Sequence, residues 1–149
     1  MRRPLAAAVA VLLAALATGA VAQVRAIAAP AAMYDGPSKA ARKLYAAPRG
    51  MPVEVLSTRG AWVKVRDAAG DVLWVERTDL ADRRAVVTTA IAAVRKDPAD
   101  AAAIVLTADR GVLLDLVDPA AGESPAGWVR VRHRDGVAGF VRSAEVWGL

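Results

Sequence analysis

The chain has 149 residues, no cysteine, one histidine and a formal charge of +5. The missing thiol excludes disulfides, thiolate nucleophiles, zinc–thiolate sites and an acylated lipoprotein cysteine. The mild basicity falls short of a nucleic-acid signature.

The first segment reads as a secretory leader. Arg2 and Arg3 form a positive start, Leu5 to Leu16 is an unbroken run of Ala, Val and Leu, and Gly19-Ala20-Val21-Ala22 offers small residues to a signal peptidase. Cleavage is expected after Ala22, which places the mature protein in the periplasm. Pro4 directly after the arginines argues against a twin-arginine signal. An uncleaved anchor is the competing reading, disfavoured by a short and alanine-rich run. Without Arg2 and Arg3 the chain keeps 18 basic and 15 acidic side chains, about +3. An anionic wall polymer suits that charge, as does peripheral contact with a phospholipid surface; an exported protein would not meet nucleic acid.

Ala31 to Arg49 follows as a long irregular stretch with Asp35-Gly36-Pro37-Ser38 at its tip. Pro52 to Leu56 alternates apolar and polar residues and predicts a strand, with Ser57 to Gly60 as its turn. Trp62-Val-Lys-Val-Arg66 alternates again, with Val63 and Val65 on one face and Trp62, Lys64 and Arg66 on the other. Asp67 to Gly70 reads as a hairpin turn whose glycine supplies a positive φ. Asp71 to Val75 is the returning strand, and Arg77-Thr78-Asp79 predicts one 3₁₀ turn before Leu80. Asp82 to Ala85 connects to the strand-like Val86 to Thr89. Ala99 to Ile104 could suggest a helix, but Pro98 ahead of it and Val105-Leu106 behind it predict a loop and then a strand.

The chain then repeats itself. Trp62, Val63, Lys64, Val65 and Arg66 match Trp128, Val129, Arg130, Val131 and Arg132 at one offset, as do Gly70 with Gly136 and Trp74 with Phe140. Upstream the offset is five residues shorter: Pro37 meets Pro98, Arg49-Gly50 meets Arg110-Gly111, and Val53 meets Leu114. The extra residues fall in Asp118 to Pro125, a stretch of turn formers, where a duplicated fold tolerates insertion. A unit of about 60 residues is marginal alone, so two units are expected to pack as a fixed pair. The expected organisation is a leader at 1–22, a first unit at 23–84 and a second at 85–149. Short strands, tight hairpins and one long leading loop describe an all-β chain of two tandem small barrels.

The ordered set R-G-M-P-V-E-V-L, A-W-V-K-V-R-D, W-V and D-R-R-A-V-V resembles exported bacterial SH3-like proteins, and G-W-V-R-V with F-V-R-S-A-E-V-W-G-L resembles the second copy of such a tandem. The resemblance covers essentially the whole mature chain. It implies two SH3-like barrels that serve as non-catalytic binding or regulatory modules of the envelope, often linked to peptidoglycan. The leading loop departs from the family start, keeping only the Gly36-Pro37 tip. A Gly-Trp pair usual in the family is Leu73-Trp74 here and Gly139-Phe140 in the second copy. Tyr34 provides a loop aromatic that the Lys96-Asp97-Pro98 region lacks.

Catalytic chemistry finds little support. His133 lies between Arg132 and Arg134 and reads as an exposed turn residue, no second histidine exists to share a metal, and no serine stands in a nucleophile-elbow setting. No cofactor, metal ligand or catalytic residue is assigned. The aromatics are the better candidates, since their faces stack on sugar and proline rings. Trp74 and Phe140 are expected to fill the core or the contact between barrels. Trp62 and Trp128, sharing a wet face with Lys64, Arg130 and Arg132, either meet a ligand or cover the barrel rim beneath the basic stems. The candidate ligand-binding set is therefore Tyr34, Trp62, Lys64, Trp128, Arg130 and Arg132. Arg130, Arg132 and Arg134 form a basic stripe suited to carboxylates or phosphates, or simply a solvated face. Arg83 and Arg84 are expected to pin the junction of the two units. The expected function is recognition of a cell-envelope ligand, with peptidoglycan leading. A periplasmic adaptor or regulator binding another envelope protein is the alternative, and a purely structural duplicated domain the third reading.

Overall fold

The computed structural model describes residues 22–117 and 125–149. The leader at 1–22 thus lies, but for Ala22, outside the described residues, as does most of the inserted loop of the second unit. No helix among the described residues is long and apolar enough to cross a membrane.

The chain is all-β, in two antiparallel sheets of seven strands. The first holds β1 (Gln23–Ile27), β2 (Ala31–Tyr34), β3 (Lys43–Ala47), β4 (Pro52–Arg59), β5 (Trp62–Arg66), β6 (Val72–Glu76) and β7 (Leu80–Ala81). The second holds β8 (Ala85–Thr88), β9 (Ala92–Arg95), β10 (Ile104–Ala108), β11 (Leu113–Leu116), β12 (Trp128–Arg132), β13 (Ala138–Arg142) and β14 (Val146–Trp147). Strand order is β3-β2-β6-β5-β4-β1-β7 in one and β10-β9-β13-β12-β11-β8-β14 in the other, the same order displaced by seven. Loop hydrogen bonds repeat too. Ala28 N donates to Asp79 O as Thr89 N does to Glu145 O, and Arg77 N to Ala61 O as Ser143 N does to Gly127 O. The duplication thus reaches the backbone pairing of the turns.

Each sheet curls around its own core. In the first unit Ala47 of β3 and Leu80 of β7, from opposite ends of the strand order, share one cluster with Ile27, Met33, Val53, Val65 and Val75. A flat sheet could not bring its two edges to one cluster. Val86, Ala92, Val94, Leu114, Val131, Val141 and Val146 form the second core. Alternation along the strands builds both. Val63, Val65, Leu73 and Val75 are buried while Lys64, Trp74 and Glu76 between them are half-exposed.

Three expectations change. The stretch from Ala31 to Arg49 is no irregular loop: it contributes the paired strands β2 and β3, with a bulge between Met33 and Tyr34. The predicted turn at Ser57 to Gly60 shrinks to Gly60-Ala61, because β4 continues to Arg59 after a bulge near Leu56 and pairs Arg59 with Trp62. Trp74 and Phe140 do not belong to either core cluster. Their inward neighbours Leu73, Val75, Gly139 and Val141 take that role, and alternation turns both rings outward. The helix alternative at Ala99 to Ile104 is excluded, since β10 begins at Ile104.

The turn between β5 and β6 is held by Asp67, which is 6% exposed. Its Oδ1 accepts from Ala69 N at 3.0 Å and Asp71 N at 2.9 Å, and its Oδ2 accepts the Tyr45 hydroxyl at 2.7 Å. One carboxylate therefore closes its own turn and ties it to β3.

The units pack directly. Arg83 Nη1 lies 3.1 Å from Asp115 Oδ1, the Arg84 carbonyl accepts Leu116 N at 3.2 Å, and Gly148 of the second unit packs against Pro52 of the first. The two arginines do sit at the junction, as the sequence suggested.

Two substitutions probe this framework. A Cβ on Gly139 would collide with the Arg95 carbonyl and stand 2.9 Å from Val94 Cγ1 and 3.1 Å from Val105 Cγ2. Gly139→Ala should therefore lower stability by about 2 kcal/mol in urea denaturation, the usual cost of overpacking. Tyr45→Phe removes a hydroxyl bonded to a carboxylate. Solvent replaces part of that bond at a ring more than a third exposed, so the cost should be about 1 kcal/mol. Burial, and then the Asp67 carboxylate, push the Tyr45 hydroxyl pKa above its usual 10.0. The unfolded chain therefore ionises first. The contribution of Tyr45 is fully present below pH 10 and declines as pH rises further. Urea midpoints measured from pH 8 to 11 should fall more steeply in the parent than in Tyr45→Phe.

Candidate functional site

The outward face of β5 and β6 gathers the aromatics of the first unit. Trp62 and Lys64 of β5 stand opposite Glu76 and Trp74 of β6. Tyr34 joins them because β2 meets β6 through the Tyr34–Trp74 pair. The Tyr34 and Trp62 rings meet edge to face, centroids 5.2 Å apart at 87°, an arrangement the ring quadrupoles favour. Lys64 Nζ lies 5.9 Å from the Trp74 ring centroid. Lys39 Nζ, reaching from the leading loop, sits 3.4 Å from Glu76 Oε1 and closes one side of the patch. Asp79 follows the same strand end; burial, then Glu76, raise its carboxyl above the ordinary range against the lowering pull of Lys39.

Tyr34 is only 6% exposed. It works as a wall that fixes the Trp62 ring more than as an open platform. Trp62, Lys64 and Trp74 are half-buried and keep accessible surface. The sequence suggested the core or the contact between barrels for Trp74; applying to β6 the alternation already used for β5 places it on this face.

The second unit fills the same face differently. Arg95 stands where Tyr34 stands, Phe140 replaces Trp74, and Arg142 replaces Glu76. Trp128 is 6% exposed, and the Arg142 guanidinium lies 4.3 Å from its ring centroid. Arg142 Nη2 is held in turn by Asp100 Oδ2 at 2.5 Å; that bond, against a smaller opposing effect of burial, holds the Asp100 carboxyl below its ordinary range. Arg95 Nη1 donates to the Ala102 carbonyl at 2.8 Å. Trp128 is therefore covered, the second of the two readings open for it, though by Arg142 of the next strand.

The two covers are positional equivalents with reversed charge. Lys39 and Glu76 of the first unit correspond to Asp100 and Arg142 of the second. Arg130 is exposed on the outward face of β12, beside Trp128. Arg132, at the other end of β12, lines a cleft between the units together with Arg49, Arg83, His133 and Arg134. The six sequence candidates thus divide among three places: Tyr34, Trp62 and Lys64 together, Trp128 and Arg130 on the second unit, Arg132 at the junction. His133 is half-buried and its Nδ1 faces the Asp135 carboxylate, so the freely exposed turn residue expected from sequence is corrected. Among the described residues no three His, Cys, Asp or Glu side chains converge on a metal-sized space.

Comparison with curated proteins finds no match. Solved structures similar to the chain include NlpC2 from Trichomonas vaginalis at 14% identity, covering 87% of this chain and 49% of that one, and NlpC1 from Trichomonas vaginalis at 15% identity, covering 95% and 51%. Both give a TM-score of 0.39, and this chain spans about half the length of each. The bacterial SH3 domain family matches twice, over residues 28–82 and 88–148, each time along one of the two seven-stranded sheets. With both sheets matched in tandem and the turn hydrogen bonds repeated between them, the chain belongs to the bacterial SH3 domain family.

Proposed function

We propose that this protein is a non-enzymatic binding module of the periplasm that recognises peptidoglycan through the outward face of its first unit. Bacterial SH3 domains commonly serve as cell-wall binding modules. The observation that carries the reading is the contrast between the two equivalent faces. In the first unit Trp62 and Trp74 keep accessible surface, with Lys64 between them and Tyr34 bracing Trp62. In the second the matching tryptophan lies under Arg142. Indole faces stack on sugar rings and on the apolar parts of peptides, and Lys64 supplies a cation for a stem-peptide carboxylate. The second unit then serves the first as a packing partner.

Non-catalytic action fits the side-chain chemistry. The chain has no cysteine and a single histidine. Periplasmic placement follows from the leader-like first segment.

One observation favours the second reading, an adaptor that binds another envelope protein. β10 is an edge of its sheet and exposes Ile104 at 53% and Val105 at 40%, and an unpaired edge can accept a strand from a partner.

Sedimentation with purified sacculi separates the two. The mature chain should pellet with sacculi, and Trp62→Ala and Trp74→Ala should each weaken binding by roughly tenfold, about 1.4 kcal/mol, as truncated aromatic anchors do. Trp128→Ala, if circular dichroism shows it folded, should pellet like the parent. An absence of pelleting at low salt would sink the wall reading and leave the edge-strand adaptor.

A further inference from the structure

The junction of the two units encloses a cleft of about 660 Å³, separate from the aromatic face. Its wall carries Arg49 and Arg83 from the first unit and the connection, and Asp115, Arg132, His133 and Arg134 from the second. Among the described residues four arginines therefore line one concavity with a single acidic residue.

The carboxylate is already taken. In the first unit Arg66 pairs across the strands with Glu54 at 3.1 Å. The equivalent pair in the second unit is Arg132 opposite Asp115. There, however, Asp115 Oδ1 is bound by Arg83 Nη1 at 3.1 Å. Arg132 is left without the acid that its counterpart holds. Arg49 and Arg134 likewise make no ion pair with any described residue. Cations gathered in a concave space repel one another and focus a positive potential on it. Guanidinium forks match the geometry of phosphate and carboxylate oxygens and bind them in bidentate fashion.

We infer that the inter-unit cleft is a binding site for a multiply charged phosphate group, held between Arg49 on one side and Arg132 and Arg134 on the other. This site is independent of the aromatic face and of whatever that face binds. A ligand that enters it touches both units, so occupancy also fastens their packing.

The test is titration calorimetry of the mature chain with inorganic pyrophosphate at low salt, with polyphosphate and citrate as parallel arms. Pyrophosphate should bind one per chain, more weakly as salt rises. Arg132→Gln with Arg134→Gln should weaken it by about tenfold or more, and Arg49→Gln alone, from the opposite wall, should weaken it measurably. Lys43→Gln with Lys96→Gln removes the same number of charges from positions outside the cleft and should leave the affinity unchanged, as should Trp62→Ala. Polyphosphate binding lost in the same cleft variants would show that the site takes a phosphate borne on a polymer as well as a free one. Equal losses in the cleft and charge-matched control variants would overturn the site in favour of diffuse attraction. Insensitivity to Arg49→Gln would overturn the two-sided cleft, tighter binding of citrate would overturn the phosphate assignment, and no heat at millimolar pyrophosphate would overturn the proposal outright. All variants replace exposed or half-buried surface residues, and unchanged melting temperatures confirm that affinity is what has moved.

Discussion

Each unit stands on a core cluster that contains no aromatic ring. Both clusters are built from aliphatic side chains and one methionine: Ile27, Met33, Leu73 and Leu80 are the largest members of the first, and Leu114 the largest of the second. Seven short strands wrapped around so little volume can bury only one face each. The valines of β5, β6, β12 and β13 claim that face, so every large residue at the alternate positions is driven outward. The outward aromatic face of the first unit is thus a consequence of what its strands bury on the other side. Trp62, Lys64 and Trp74 share a face because Val63, Val65, Leu73 and Val75 share the other.

What happens on the outward face then depends on charge sign. The leading loop and the end of β6 or β13 meet across the tryptophan in both units, and both meetings are ion pairs. The face of an indole ring carries negative quadrupole density, which attracts a guanidinium and repels a carboxylate. Where β13 ends in Arg142, the cation lies on Trp128 and Asp100 anchors it from the loop. Where β6 ends in Glu76, the carboxylate gains nothing from the ring and turns to Lys39, and Tyr34 takes the position beside Trp62. Reversal of one ion pair leaves the loop anchored and changes whether the ring beneath it is covered. Duplication has kept the core and the hydrogen-bonded turns while allowing this surface to diverge.

Most of the fold was legible because its determinants are local. The alternation in Trp62 to Arg66, the glycine of the Asp67–Gly70 turn and the 3₁₀ turn at Arg77–Asp79 each stand in a few adjacent residues, and the repeat confirmed the pattern by stating it twice. The strands β2 and β3 were not legible, since Ala31–Tyr34 and Lys43–Ala47 become strands by pairing with each other and with β6, and alanine-rich segments carry little periodicity of their own. The aromatic face was half legible. Trp62 and Lys64 follow from alternation, Trp74 follows from the same rule on the next strand, but Tyr34 meets Trp62 and Trp74 only through strand pairing, and the cover over Trp128 depends on Arg142 and Asp100, 42 positions apart in sequence. Asp67 was read as a turn former, and its bond to Tyr45 needed the three-dimensional position of β3.

The cleft between the units shows why its chemistry could not be read from either repeat alone. The strands β4–β5 and β11–β12 carry the same acid–base pair in the same register, Glu54 with Arg66 and Asp115 with Arg132. What differs is the partner that the acid takes. Arg83 stands just ahead of the second unit, where it reaches Asp115. In the first unit Glu54 keeps its cross-strand partner Arg66. Arg83 takes Asp115, and Arg132, with no ion pair among the described residues, lines the same cleft as Arg49 of the first unit. The positive cleft is therefore a product of the junction: a linker residue redirects one carboxylate, and the packing of the second copy on the first brings Arg132 into a cleft that both units line.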